Sequence, residues 1–329
     1  MKRSFKSSLL IVLSLFMIAT CFTGCSKKEE IIIFTSCEDY RVEYMQSRLN
    51  EQFPDYKIII EYKDSGSHAA AIKAAGKDVA CHITHDLEYG YAQTIASDGI
   101  LADLTGIIDF SAFSEELVES RYYAPEVRNG GTIIINPAVL EREGIDAPTC
   151  YEDLLDPKYK DLISMPNPAS SGTGYMFLLN LVNEWGEDEA FEYFDALSKN
   201  VLSFTSSGAG PVNSLINGEA AIGLGMTSQA VTKINEGAEL ELVFFEEGSP
   251  FSVYGQGIIA GNEENSAVVE VFKFLATTVT EEMNELYYPE MLFKNKTVSI
   301  KNFPENIIYG DMSNNTSERK DALLKKWNH

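Results

Sequence analysis

Two short loops share one pattern: Ser170-Ser171-Gly172-Thr173-Gly174 and, thirty-six residues later, Ser206-Ser207-Gly208-Ala209-Gly210. Each follows a strand-like run and precedes a helix-like one. Glycine lets the backbone turn its N–H groups inward with no Cβ in the way, serine and threonine hydroxyls add donors, and the following helix presents its positive end. That chemistry suits an oxyanion, a phosphate or a carboxylate. The competing explanation is that the serines only cap their own helices. Capping accounts for one serine better than for a repeated loop, so Ser170, Ser171, Gly172, Thr173, Ser206 and Ser207 are read as ligand-binding residues.

The elements that must hold these loops alternate in type, which predicts α/β lobes with helices on both faces of a parallel sheet. Strand-like runs cover 31–35, 57–62 and 79–84, with helical patterns over 42–53, 68–75 and 87–97. The strand-end loops carry Ser36-Cys37-Glu38-Asp39, then Asp64-Ser65-Gly66-Ser67, then His85-Asp86. Ligands of open α/β sheets bind at such carboxyl ends, so Ser36, Ser65, His85 and Asp86 join the candidates. Glu38 and Asp39 fall in the first turn of a helix, where acids complement the dipole, and are read as structural.

After Gly130-Gly131 the run 132–135 leaves this lobe. A second lobe follows, with strands over 162–165, 201–204 and 221–224 and helices over 175–185, 187–197 and 211–217. The run 255–260 crosses back and leads into a helix over 266–275, with Tyr254 at the crossing and Thr227 after the strand 221–224 as further candidates. Two crossings imply two doubly wound lobes joined by a two-strand hinge, with the ligand between them. The expected division is 1–24 leader, 25–30 tether, 31–130 plus 256–290 first lobe, and 131–255 plus 291–329 second lobe.

His82, His85 and Asp86 invite a metal, but residues three apart on a strand face opposite sides, so no metal site is assigned. No G-x-S-x-G elbow, Walker loop, H-E-x-x-H or cofactor motif occurs. Cys37, Cys81 and Cys150 are an odd number; a Cys37–Cys81 bridge is conceivable, and three buried thiols are the preferred expectation.

The first residues read as a leader. Lys2, Arg3 and Lys6 form a basic start, 9–21 is apolar, and Phe22-Thr23-Gly24-Cys25 closes it. Thirteen apolar residues are fewer than the roughly twenty that span a bilayer as a helix. The closing tetrapeptide resembles the bacterial lipobox, with phenylalanine where leucine is usual, which makes Cys25 the acylated first residue of the mature chain and Ser26–Glu30 a polar tether. Loss of three positive charges and no acid takes the net charge from −23 to −26, which rules against nucleic acid as a partner.

The stretch Asp156-Pro157-Lys158-Tyr159-Lys160-Asp161, the segment Met165-Pro166-Asn167-Pro168-Ala169-Ser170-Ser171-Gly172-Thr173-Gly174 and the run Asn217-Gly218-Glu219-Ala220-Ala221-Ile222-Gly223-Leu224 resemble substrate-binding proteins of bacterial ABC importers. The group is mixed, with ferric iron, thiamine, phosphonate and hexose phosphate among its ligands. The resemblance implies lobes of the type II periplasmic-binding-protein kind, a C-terminal tail packed on the second lobe, no catalysis, and monomeric delivery of a small anionic solute to a permease. Ferric members carry a tyrosine pair just after the segment matching Gly218 to Leu224; here that place reads Gly225-Met226-Thr227-Ser228-Gln229, and the doublets Tyr122-Tyr123 and Tyr287-Tyr288 are read as packing. Ferric iron and thiamine stay open as alternative ligands, and a sensory partnership with a membrane kinase as an alternative role.

The leader generates the first prediction. Cys25→Ala should abolish acylation and leave the chain unprocessed or shed into the medium, which metabolic lipid labelling and membrane fractionation would check; normal membrane retention would overturn it.

Overall fold

The computed structural model describes residues 28–289, 292–294, 296 and 298–329; the leader, Cys25 and the start of the tether lie outside the described residues. No helix among the described residues is long and apolar enough to cross a membrane.

β1 (Glu30–Thr35) carries three consecutive isoleucines and a phenylalanine, the composition of a strand covered on both faces. It lies between β2 (Lys57–Tyr62) and β3 (Ile83–Glu88), parallel to both. α1 (Asp39–Gln52), α2 (Ser65–Ala75) and α3 (Tyr89–Ser97) follow these strands. β4 (Ala124–Ile135) then runs out of the first lobe. α4 (Pro137–Glu143) leads to β5 (Ile163–Pro166), α5 (Gly172–Trp185), α6 (Glu187–Leu197) and β6 (Val201–Thr205). α7 (Gly210–Ile216), β7 (Ile222–Met226), α8 (Thr227–Asn235) and β8 (Glu241–Val243) complete the second lobe. β9 (Phe251–Ile258) returns, followed by α9 (Ser266–Phe274), α10 (Thr280–Tyr287) and, near the C-terminus, α11 (Ser317–Lys326).

The strand order β2-β1-β3-β9-β4-β7-β5-β6 forms a single mixed sheet, with β8 beside β4. β4 is shared: Ala124 to Gly130 pairs with β9, and Gly131 to Ile135 pairs with β7. The pairs β1–β2, β1–β3, β5–β6 and β5–β7 are parallel, and β3–β9, β4–β9, β4–β7 and β4–β8 are antiparallel. The wholly parallel expectation fails because β4 and β9 are the crossing strands: β9 runs back against β3 and β4, and β4 enters the second lobe against β7 and β8. Two cores flank the crossing. One gathers Ile31, Ile83, Val271 and Phe293; the other gathers Ile133, Phe177, Leu224, Leu323 and Trp327.

The third strand lies four residues later than the sequence pattern predicts, so His85 and Asp86 sit inside β3 instead of in a loop after it. The register against β9 slips between Thr84 and Leu87, and Asp86 takes a φ of 55°. Such a bulge re-aims one side chain, and aspartate tolerates this backbone better than most residues. The run Thr84-His85-Asp86-Leu87-Glu88 is buried throughout yet mostly polar, so hydrophobic periodicity could not find it. α1, α2 and α5 each begin three residues before the expected start, because their first turns are polar.

α11 belongs to the second core yet reaches the first lobe. The Lys320 ammonium pairs with Glu88, both buried, and lies 3.6 Å from the Tyr91 ring centre and 4.4 Å from that of Tyr175. Glu88 also accepts from Ser252 Oγ at 2.9 Å, Asn315 Nδ2 at 2.9 Å and Gly90 N at 3.1 Å. Burial alone would raise the Glu88 carboxyl; Lys320 and these donors outweigh it and hold it below the usual range. Lys320→Met keeps most of the stem's packing but strands a buried carboxylate, so it should destabilise by about 3 kcal/mol. Calorimetry at neutral pH would show this as a lower melting temperature, and an unchanged one would refute the tie.

Candidate functional site

Between the lobes, at the carboxyl ends of the parallel strands, lies a cavity of about 500 Å³. Ser36, Glu38, Tyr62, Ser65 and Asp86 line it from the first lobe, Ser171, Thr173, Ser207, Asn213, Gln229 and Lys233 from the second, and Asn129 and Tyr254 from the crossing strands. The lobes touch over it. Gly66 N donates to Ser170 O at 2.9 Å, the Tyr62 hydroxyl bonds Ser207, and that of Tyr254 bonds Thr173. The described conformation is therefore a closed one.

Four helices of nine to fourteen residues point their N-termini at this space, bringing Asp39 and Tyr40 of α1, Ser65 of α2, Thr173 of α5 and Gln229 of α8 to the lining. First-turn N–H groups have no partner inside their helix and attract negative charge. The two serine-glycine loops lie side by side: Asn167 N donates to Thr205 O at 2.8 Å and Ser170 Oγ to Ser206 O at 3.0 Å. They differ in one respect. Ser171 caps α5, accepting from Gly174 N at 3.3 Å, whereas α7 has no side-chain cap. Glycine is required twice for close approach: a Cβ on Gly172 would lie 2.6 Å from the Tyr254 hydroxyl, and one on Gly208 would strike Thr173 Oγ1.

Beneath the first-lobe wall a buried guanidinium organises three carboxylates. Arg41 Nη1 lies 3.0 Å from Glu38 and 2.9 Å from Asp86, and Nη2 pairs with Glu126; all four side chains are nearly inaccessible. Arg41 also stands over the Tyr288 ring at 5.3 Å. Ser36 Oγ donates to Asp86 Oδ2 at 3.0 Å. His85 Nδ1 meets Thr35 Oγ1 at 3.0 Å, and its Nε2 lies 3.4 Å from Glu126. Burial would raise Glu126, but Arg41 and His85 hold it down at about 2. Asp86 is pushed up to about 7: burial outweighs Arg41, and Glu126 and Glu38 add to it.

Of the residues the sequence singled out, Ser36, Ser65, Asp86, Ser171, Thr173, Ser207 and Tyr254 line the cavity. Ser170, Gly172 and Ser206 do not; they hold the loops together. His85 is buried behind the wall, and Thr227 is buried with its hydroxyl unpartnered. Sequence reasoning missed Tyr40, Tyr62, Asn129, Asn213, Gln229 and Lys233. Glu38, read as a dipole residue, makes no cap hydrogen bond and faces the cavity. Tyr62 and Gln229 stand beside strand ends, which was a usable signal; Asn129, in mid-strand, gave none. Burial raises the Tyr40, Tyr62 and Tyr254 phenols, so they stay protonated at neutral pH. No group of three His, Cys, Asp or Glu placed to hold a metal occurs among the described residues. His82 instead accepts from Ile32 N at 3.0 Å. Cys37 and Cys81 are unpaired and buried, while Cys150 is half-buried rather than fully buried.

The sequence profile of the bacterial extracellular solute-binding proteins matches residues 108–295. An uncharacterized protein of Haemophilus influenzae is 26% identical over 346 aligned residues, which cover 98% of this chain and 96% of that one. The spermidine/putrescine-binding periplasmic protein of Salmonella typhimurium is 23% identical over 71% of this chain and 70% of its own. Among solved structures, the periplasmic binding protein AfuA of Actinobacillus pleuropneumoniae, with fructose-6-phosphate bound, superposes with a TM-score of 0.80 at 22% identity, covering 92% of this chain and 98% of that one. A periplasmic thiamin-binding protein gives 0.75 at 14% identity, with 93% and 97% covered. These likenesses establish the fold, the type II periplasmic binding architecture.

Closure itself is testable at Gly66. A Cβ there would lie 2.8 Å from Ala169 O and 3.0 Å from Ser170 Cα, both backbone atoms of the opposite lobe. Gly66→Ala suits a helix but should oppose closure by roughly 1–3 kcal/mol. Small-angle scattering should show a larger radius of gyration than wild type with no loss of melting temperature; identical profiles would refute the contact.

Proposed function

We propose that this chain, which belongs to the bacterial extracellular solute-binding proteins, closes its lobes over a small anionic solute bearing a phosphate group and hands it unaltered to its importer, tethered to the membrane through lipid on Cys25. Membership makes it a solute-binding transport protein outside the cytoplasm, with a small solute as ligand and an ABC permease as partner.

One observation carries the phosphate reading. Helix N-termini from both lobes converge on one closed cavity lined by the hydroxyls of Ser65, Ser171, Thr173 and Ser207. The lining acids do not contradict it. Glu38 and Asp86 turn to Arg41, Glu236 pairs with Lys233 at 2.6 Å, and Asp39 and Glu43 are exposed at the mouth. The solved neighbour that holds fructose-6-phosphate supports the same class. A second reading, a polyamine, is favoured by the five lining carboxylates against one lysine and by the spermidine/putrescine-binding relative.

Thr173 separates these readings. A hydrogen bond to a charged group contributes about 1.5–3 kcal/mol, so Thr173→Val should weaken a phosphorylated ligand roughly tenfold or more. Thr173→Asp, which still suits the first turn of a helix, should eliminate binding without a lower melting temperature. Calorimetry with fructose 6-phosphate, thiamine phosphate, a phosphonate, ferric citrate and spermidine would check this; spermidine binding strengthened by Thr173→Asp would replace phosphate with polyamine.

A further inference from the structure

The buried cluster beneath the cleft holds more negative than positive groups. Glu38, Asp86 and Glu126 all face the Arg41 guanidinium, with side chains 5%, 6% and 1% exposed. Among the described residues His85 is the only other cation-forming group against them, 3.4 Å from Glu126. Even a fully charged His85 leaves three anions facing two cations. The remaining titratable neighbours among the described residues include Cys37 on the loop after β1, Tyr62 at the end of β2, Tyr254 on β9, Tyr288 after α10 and Tyr40 on α1; all are raised by burial and neutral near pH 7, so they change the balance in neither direction. An uncompensated buried anion costs several kcal/mol, and a site in that position takes up a proton instead.

Geometry selects which carboxyl takes it. Glu126 receives Arg41 Nη2 undivided and has His85 beside it. Glu38 and Asp86 share Nη1. Both line the cavity, but Asp86 sits in the bulge of β3, where Ser36 Oγ approaches its main-chain oxygen and, at 3.0 Å, its Oδ2; one hydroxyl hydrogen serves only one of these, which leaves Oδ2 a place for a proton. We infer that Asp86 carries a proton in the ligand-binding state and presents it as a hydrogen-bond donor to the bound oxyanion, which makes it a specificity-determining residue and makes capture weaken as pH rises. This rests on the oxyanion reading above. The direction of the Asp86 shift, upward through burial, agrees with it. Deprotonated, the same carboxylate would face the ligand's negative charge across a closed cavity.

The sign in the ligand-free protein follows from linkage. With a raised carboxyl, the folded chain keeps a proton that the unfolded chain has released, so stability falls as pH rises from about 4 to about 7. Asp86→Asn removes that component while keeping the shape of a neutral acid and a residue that tolerates φ near 55°. Melting curves of the full chain at pH 5.0 and 7.5 should therefore show the variant gaining stability relative to wild type at the higher pH. A constant difference between the two would overturn the proton. The ligand arm uses sulfate, whose charge does not change in this range. Wild type should bind it at least tenfold, and up to about 30-fold, more weakly at pH 8.5 than at pH 5.5, and Asp86→Asn should be flat. Sulfate binding by wild type that ignores pH would overturn the inference. No sulfate binding at any pH would defeat the oxyanion reading and, with it, the donor role, while the melting curves still decide the proton. Should Asp86→Asn fail to fold, Asp86→Ser supplies the same two readouts.

Discussion

The burial of one guanidinium sets much of the rest. Arg41 leaves α1 and meets carboxylates on the residue just before that helix, on β3 and on β4, with the Tyr288 ring against it. A dry arginine must be paired, and each carboxylate it pairs must come from an element held in register. The strand-end loop after β1, the bulge of β3 and the start of β4 are thereby tied at one point under the cleft. The lining residues Ser36, Glu38 and Asp86 take their positions from that tie, so the floor of the site is rigid while its roof belongs to another lobe.

The roof is hung from two strands. β4 and β9 pair from Ala124 to Gly130, and only beyond Gly131 does β4 join the second sheet half. Arg128 stands on β4 at this crossing, 4.1 Å from the Phe251 ring centre and 4.5 Å from that of Tyr309. Gly310 is pressed against Asn180, where a Cβ would collide, and Ser249 Oγ donates to Gly131 O at 2.5 Å. The C-terminal segment thus covers the hinge and then crosses between lobes through Lys320. Motion about β4 and β9 is therefore constrained by a third connection that a two-strand picture omits.

Element types were legible in the sequence and the chemistry of the loops partly so. Isoleucine runs marked β1 and β2, and glycine with serine marked both second-lobe loops, because burial on two faces and close backbone approach each demand particular residues. Helix starts and β3 were misplaced for one reason: Asp39, Ser65 and the run from Thr84 to Glu88 are polar and Gly172 has no side chain where the structure needs them, and periodicity reads only apolar spacing. Tyr62 and Gln229 stood at strand ends and were passed over, whereas Lys233 was missed because its place in the site depends on how the lobes meet. Arg41 was missed because a lone arginine on a helix reads as solvated until β3 and β4 are laid beside it.

The overall charge of −23 and the proposed capture of an anion are compatible through distance and orientation. Surface acids beyond about 10 Å are screened at ordinary salt, whereas the first turns of α1, α5 and α8 stand at the cavity itself. The acids nearest the ligand are of two kinds. Asp39 and Glu43 are wet, and Glu38 and Asp86 are dry and turned to Arg41. Only the dry pair can act strongly on a bound molecule; both line the cavity, and Asp86 is the one held in a bulge. With the proton inferred on Asp86, the sign of the site depends less on how many carboxylates line it than on whether that proton stays in place.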